Sequence, residues 1–296
     1  MILEICTLVD IFTLRRGNIM DKISHDVYKS INVVNSNMLY VESKYNTLFF
    51  STNENLDKLF SKIDVNGKNV LSVLGSGDHA FHLYNNGSSS VDVFDVNKLT
   101  IYYYYLRIWS IIYLKKYYLS LDNFSSEVMQ VLSAVNINSP IEQDVYNFWI
   151  NILKSVDNSF LYKLFHDVYD GDLSKNNITD LDKLVGILKE KDDFSFYNID
   201  ISKKVKINKK YDVIVTSNIS DWIVALEGEL KVYKDNLLRL LNDDGIILSS
   251  NVDWPIIKMP ERRVFETDFE IIEYESEIVC GCREYPAGYI YKRKIK

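Results

Sequence analysis

Cysteine is scarce in this chain and positive charge is in the minority, and each closes off a class of protein. The three cysteines among 296 residues, Cys6, Cys280 and Cys282, are too few and too far apart for a disulfide framework. They fit a reducing compartment. Cys280-x-Cys282 lacks the two-residue spacer of a redox or zinc motif. In a strand both side chains point to one face, which reads as ordinary packing. Lysine and arginine (34) are outnumbered by aspartate and glutamate (41), for a net charge of -7. That balance speaks against a nonspecific nucleic-acid binder, which needs a basic footprint. The basic tail Lys292-Arg293-Lys294-Ile295-Lys296 reads as a solvated strand end.

Long hydrophobic runs are also missing. No stretch reaches the roughly 20 uninterrupted apolar residues of a membrane span. Residues 99–119 come nearest, but Arg107, Lys115 and Lys116 interrupt them, and a half-buried helix is expected. The first 19 residues resemble a weak signal peptide with its parts in the wrong order, because Arg15-Arg16 follows the apolar segment. Arg15-Arg16-Gly17-Asn18 ahead of Met20 is what a purine-rich ribosome-binding site gives when translated. A natural start at Met20 is therefore expected, and a cytoplasmic location with it.

The chain does contain one dense motif. Val70-Leu71-Ser72-Val73-Leu74 is an apolar run that ends in Gly75-Ser76-Gly77-Asp78-His79-Ala80. A second run, Val91-Asp92-Val93-Phe94, ends in Asp95. Strand, glycine turn, helix and a second strand with an acid at its tip make half of a nucleotide-binding α/β fold. The glycines allow a tight bend and a close approach to a ligand, and the acid can accept hydrogen bonds from a ribose diol.

The rest of the chain follows this reading. Residues 1–66 form an N-terminal helical segment. Within it, Ser51 or Thr52 caps a helix and Glu54 completes a capping box. Residues 67–296 form a Rossmann-like domain. Its first strand falls at about 68–74, its first helix at 78–86 and its second strand at 91–95. A long helix follows at about 97–119. Residues 125–190 carry helical periodicity without strand runs (Val128, Val131, Leu132; Val145, Phe148, Trp149, Ile152; Leu161, Leu164, Phe165) and read as a helical insertion. A short third strand is expected over 193–199 and a fourth over 211–216, whose continuous apolar run suits cover on both faces. A helix over 224–241, a fifth strand over 246–250 and two β runs at about 268–279 and 286–294 complete the chain.

The hexad from Gly75 to Ala80 also fits the dinucleotide pattern G-x-G-x-x-[G/A], but with two glycines the match is weak alone. A helical stretch precedes the first strand, and the two closing β runs leave no room for a second βαβαβ half. That plan favours S-adenosylmethionine as cofactor over a dinucleotide. The fold class is α/β, a Rossmann-like S-adenosylmethionine-dependent methyltransferase fold: a mostly parallel sheet with an antiparallel C-terminal strand pair.

Leu71 to His79, then Val91-Asp92-Val93-Phe94-Asp95-Val96-Asn97 and a long helix, resemble the betaine-lipid-synthase-type 3-amino-3-carboxypropyltransferases and their uncharacterised bacterial relatives. That family pairs a serine-glycine turn with an Asp-x-Asn after the second strand. Tyr40-Val41-Glu42-Ser43-Lys44-Tyr45 is similar to its tyrosine segment before the first strand. Ser217-Asn218-Ile219-Ser220-Asp221-Trp222 is similar to its Ser-Asn-Ile segment. The likeness covers about residues 40–120 and 208–255. The insertion has no counterpart there, and the chain is short for a full lipid synthase. The resemblance implies transfer of the 3-amino-3-carboxypropyl group with release of methylthioadenosine.

The candidate cofactor residues are Gly75, Ser76, Gly77, Asp78, Asp95, Val96, Asn97, Asp200, Ser217 and Asn218. Asp78 either complements the helix dipole or pairs with the cofactor's ammonium group. Asn97 either contacts adenosine or caps the next helix. Asp200, after the third strand, is expected to face the adenine amino group, because the tip of the third strand sits over that edge in such folds. Ser217 and Asn218 lie beyond the fourth strand, where ligands of such sheets sit. Tyr45 and Asp221 are the catalytic candidates; Tyr40 and Tyr45 either line the cofactor pocket or are half-buried helix residues, and Trp222, next to Asp221, is either near the substrate or core. His79 and His82 lie three apart, but no third ligand has matching spacing, so no metal is expected. Tyr102 to Tyr105 cannot share one helix face, so an acceptor or oligomer surface is weighed there against amphipathic cover. The acceptor is expected to be a small molecule or a lipid. Methyl transfer is the alternative reaction, because many methyltransferases share the fold. A non-catalytic cofactor-binding protein is the second alternative.

Overall fold

The computed structural model describes residues 48–155, 164–166, 176–190, 194–225, 229–252, 260–275 and 286–294. Tyr40, Tyr45, Met20 and the three cysteines lie outside them. Nine strands occur among the described residues: β1 (Leu48–Phe49), β2 (Asn69–Val73), β3 (Ser90–Asp95), β4 (Phe165–His166), β5 (Phe196–Asn198), β6 (Tyr211–Ser217), β7 (Leu241–Val252), β8 (Phe269–Glu275) and β9 (Pro286–Arg293). The chain divides into two compact units. One takes residues Met1–Phe50 and Asn97–Val168; the other takes Ser51–Val96 and Tyr169–Lys296.

The second unit holds a seven-stranded sheet in the order β5-β3-β2-β6-β7-β9-β8. β2, β3, β5, β6 and β7 pair in parallel, and β9 runs antiparallel to both β7 and β8. This is the Rossmann-like plan with an antiparallel C-terminal pair that the sequence leads one to expect. The physical cause is visible in the central strands. Val70, Leu71, Val91, Val93, Val213, Ile214 and Val215 are all buried, as are Ser72 and Asp92 among them, so these strands are buried on both faces instead of alternating between core and solvent. The edge strand β8 instead exposes Glu270, Ile272 and Glu273, and charges on an edge discourage further pairing. A core of Leu71, Phe94, Tyr233, Leu237, Phe265 and Tyr291 packs beside the sheet. The Phe265 ring lies 4.7 Å from that of Tyr291 and 5.4 Å from that of Phe269.

Several boundaries differ from expectation. The third strand is only Phe196–Asn198. The helix expected over 224–241 is two helices, Ile219–Ala225 and Leu230–Leu240. β7 starts at Leu241, and its pairing with β6 jumps from Tyr211–Leu241 to Val213–Ile246. Asp243-Asp244-Gly245 is thus an irregularity within the span of the strand.

Tyr84, in the helix Asp78–Asn85, illustrates the cost of ionising this core. Its hydroxyl donates to the Val91 carbonyl at 3.2 Å. Burial pushes its pKa up to about 12, and the Asp92 charge adds to the rise. The unfolded phenol ionises near 10. The stabilisation is therefore complete below about pH 10 and is lost as pH climbs toward 12, a change of about 3 kcal/mol. Denaturant titrations at pH 9 and pH 12 should show the Tyr84→Phe variant losing less stability than the parent protein. Equal losses would remove Tyr84 from this account.

The first unit is helical and aromatic. Its helices include Leu99–Trp109, Phe124–Ala134 and Pro140–Ser155. The long helix expected over 97–119 continues from Leu99–Trp109 as a π-helical turn over Ser110–Leu114, and Lys115 ends it in a left-handed conformation at φ 54°. β1 and β4 form a separate parallel pair in a region expected to be free of strands. Tyr102, Tyr103 and Tyr104 are all buried, so the tyrosine run is mainly core. Tyr103 donates its hydroxyl to the Phe50 carbonyl at 2.9 Å. Arg107, read from sequence as an interruption, is itself buried. Its guanidinium lies 4.6 Å and 4.8 Å from the Tyr118 and Tyr117 ring centroids and donates to the Tyr117 carbonyl. The planar, weakly hydrated guanidinium stacks well on aromatic faces. Among the described residues, no helix is long and apolar enough to cross a membrane.

Candidate functional site

The chain moves outward from β2 to β3 and β5, then returns to place β6 on the other side of β2. The order of the sheet therefore reverses between β2 and β6. In open α/β sheets the crevice at such a reversal, beyond the carboxyl ends of the strands, is where ligands bind.

At the end of β2 the chain turns through Gly75 at φ 50° and Gly77 at φ 90°, and Gly77 caps the helix Asp78–Asn85. Both angles lie in the left-handed region that side chains resist. A Cβ on Gly75 would meet nothing within 4 Å, so the turn borders open space. The Gly75 amide donates to Asp95 Oδ2 at 3.0 Å. The acid at the tip of β3 is thus joined to the glycine turn, as a ribose acceptor beside a close backbone approach would be.

Asp78 is fully buried. Its Oδ2 accepts from the Thr52 amide at 2.8 Å and the Ser76 hydroxyl at 2.7 Å, so it fastens the segment before β2 to the glycine turn. Val96 is 44% exposed. Asn198 Nδ2 donates to the carbonyls of Asp95 and Val96. Asn97 falls in the other unit, where its Oδ1 accepts from the Leu99 amide at 3.0 Å.

The Ile199 amide donates to the Asp95 carbonyl, which brings Asp200 to the same end of the sheet. Asp200 Oδ1 accepts from the Ser202 amide and hydroxyl, and Oδ2 pairs with Lys203 at 3.0 Å. Burial alone would raise the pKa of this carboxyl. The Ser202 and Lys203 contacts outweigh it and hold the group below its ordinary value.

Ser217 ends β6 at φ 51°, an uncommon conformation for a residue with a side chain. Its hydroxyl lies 3.5 Å from Asn218 Oδ1, and its carbonyl accepts from Ser249 Oγ. Asp221, whose amide donates to the Asn218 carbonyl, is half-buried in the first turn of the helix Ile219–Ala225, next to half-buried Trp222.

A residue not anticipated as part of the site lies at its centre. Glu54 is 6% exposed. Its Oε2 accepts from His79 Nε2 at 2.6 Å, from the Ser217 hydroxyl at 3.0 Å and from the Thr52 hydroxyl at 3.2 Å. Its Oε1 is buried with no hydrogen-bond partner among the described residues. The expected capping box is not formed. The helix starts at Leu56, and Asn55 caps it by accepting from the Lys58 amide. Glu54 is freed for the crevice, and the sequence S-T-N-E-N gives no sign of that choice. Asn176 holds the loop. Its Nδ2 donates to the Glu54 carbonyl at 2.7 Å and its Oδ1 accepts from the Leu56 amide. His82 Nε2 lies 3.0 Å from the Asn176 carbonyl. No cluster of metal-ligating side chains occurs among the described residues.

No protein-family model matches the chain, and no curated protein matches it. Solved structures with a similar fold include the N-methyltransferase NodS from Bradyrhizobium japonicum in complex with S-adenosyl-L-homocysteine. It is 8% identical, with 91% of this chain and 99% of that one covered and a TM-score of 0.44. The glycopeptide N-methyltransferase MtfA, complexed with the same molecule, is 10% identical over 83% and 92% of the two chains, with a TM-score of 0.43. A TehB-like SAM-dependent methyltransferase from Corynebacterium glutamicum is 11% identical over 92% and 99%, with a TM-score of 0.41. At such identities the fold assignment stands on the strand order of the chain itself: a Rossmann-like α/β sheet closed by an antiparallel pair.

Proposed function

We propose that the chain is an S-adenosylmethionine-dependent transferase and that the group it transfers is the methyl. The observation that carries the cofactor is Asp95, held against the Gly75 amide at the reversal point of the sheet. The residues present fit the group in three respects. Open space lies over Gly75, a carboxylate stands at the neighbouring strand tip, and an unpartnered buried acceptor, Glu54 Oε1, waits for a donor.

When bound, the cofactor supplies a sulfonium whose attached carbons are open to in-line displacement. The chain's own residues bind and orient. Asp95 accepts from the ribose hydroxyls, and Gly75, Ser76 and Gly77 let the backbone come close. Asp200 lies toward the adenine edge. Ser217 and Asn218 line the far side of the crevice, and Asp221 stands on the acceptor side. Orientation of this kind supplies much of the rate in a displacement that needs no covalent help from the protein.

Methyl transfer is preferred because it is the common outcome on this strand order. The 3-amino-3-carboxypropyl reading rests on sequence resemblance alone, part of which (Tyr40 to Tyr45) lies outside the described residues. A small-molecule or lipid acceptor suits a net charge of -7, which repels polyanions. Incubating the protein with S-adenosylmethionine and a protein-free metabolite extract tests the reaction. S-adenosylhomocysteine is the expected product. Methylthioadenosine would instead establish aminocarboxypropyl transfer, and binding without either product would mark a non-catalytic protein.

A further inference from the structure

We propose that Glu54 receives the α-ammonium group of S-adenosylmethionine on its buried Oε1 atom. The inference rests on the cofactor reading above and adds to it a residue from outside the glycine turn.

A carboxylate has two acceptor oxygens. In Glu54 they are used unequally: three donors, His79 Nε2, Ser217 Oγ and Thr52 Oγ1, converge on Oε2, while Oε1 is sealed from solvent without a partner among the described residues. Leaving a buried acceptor of an ionised group unpaired is costly. A charged N–H donor removes that cost and forms the stronger, charge-assisted kind of hydrogen bond. The side chain is also preplaced. Asn176 fixes the Glu54 backbone, and the three donors fix its far oxygen.

Position selects which donor. Glu54 touches His79, two residues past the glycine turn of β2, and Ser217 at the tip of β6. Asp95 stands at the tip of β3, on the opposite side of β2. Neighbouring strands are about 4.8 Å apart, so the tips of β3 and β6 are separated by roughly 10 Å. In the cofactor, the ribose, the sulfur and three carbons link the diol to the ammonium nitrogen, a comparable reach when extended. With the ribose on Asp95, the amino-acid end arrives at Glu54. The other acid nearby, Asp78, turns its Oδ2 to Thr52 and Ser76.

Calorimetry with two probes tests the assignment. S-adenosylhomocysteine carries the ammonium; methylthioadenosine shares its adenosine and sulfur and lacks the whole amino-acid end. Glu54→Gln keeps the shape and removes the charge. It should weaken S-adenosylhomocysteine about tenfold or more and leave methylthioadenosine unchanged, which also certifies that the variant is folded. A wild-type measurement needs no variant. The analogue of S-adenosylhomocysteine lacking only the α-amino group should bind the parent protein about tenfold more weakly. Equal binding of that analogue, or an equal loss of both probes in a folded variant, overturns the role of Glu54 while the cofactor reading survives. Failure of the parent protein to bind either probe overturns both.

Discussion

Replacing Trp149 with alanine should destabilise the helical unit by about 3–5 kcal/mol, the range for removing a large aromatic from a packed core. The indole is fully buried. It meets the Phe148 and Phe124 rings edge-on at centroid distances of 5.1 Å and 5.8 Å, and its Nε1–H donates to the Tyr102 carbonyl at 2.9 Å. Phe124 in turn meets Phe165 of β4, which packs on Phe50 and Tyr103. Truncation thus opens a cavity at the junction of three helices and removes the hydrogen bond from Nε1 to the Tyr102 carbonyl. A whole domain is stable by only about 5–15 kcal/mol, so the loss consumes a large fraction of it. Urea titration followed by far-ultraviolet circular dichroism reads the effect. A change below about 1 kcal/mol would mean that this aromatic cluster is not the core of the unit.

The second large effect concerns binding. Asp95→Ala should weaken S-adenosylmethionine by roughly 1.5–3 kcal/mol, about ten- to a hundredfold, the usual cost of losing hydrogen bonds to a charged acceptor. Part of that loss is indirect, because Asp95 also holds the Gly75 amide. Asp95→Asn separates the two contributions. Its amide oxygen can still accept from Gly75, so the turn is kept while the charge offered to the ribose is removed. Calorimetric titration of both variants should place asparagine between the parent protein and alanine. Unchanged affinity in alanine would take Asp95 out of the site.

The parts of the fold that were legible share one property: their pattern is set locally. β6 reads as a continuous apolar run, and β2 and β3 as apolar runs broken once each by Ser72 and Asp92, because both of their faces are covered; the turn at Gly75 and Gly77 needs an angle that glycine tolerates best. What was missed depends on distant partners. Two-residue strands such as β1 and β4 are too short to show a period. The π-helical turn after Trp109 and the left-handed Lys115 carry no glycine or proline to mark them. Arg107 looked like a break in an apolar helix, because nothing local says that Tyr117 and Tyr118 return to enclose it. Glu54 shows the limit most clearly. An acid three residues after a serine is the local signature of a capping box, yet Asn55 takes the cap and Glu54 turns to His79 and Ser217, which are 25 and 163 residues away. Only the juxtaposition of β2 and β6 makes that pairing possible.

The proposed function requires adenosine to settle between the Gly75 turn and the carboxylate of Asp95. Titrating the full chain with S-adenosylmethionine in a calorimeter examines that dependence directly. The account predicts saturable uptake of one molecule per chain, displaced by S-adenosylhomocysteine and reduced in Asp95→Ala. The absence of any binding heat up to millimolar ligand, with no protection from thermal unfolding, would contradict it.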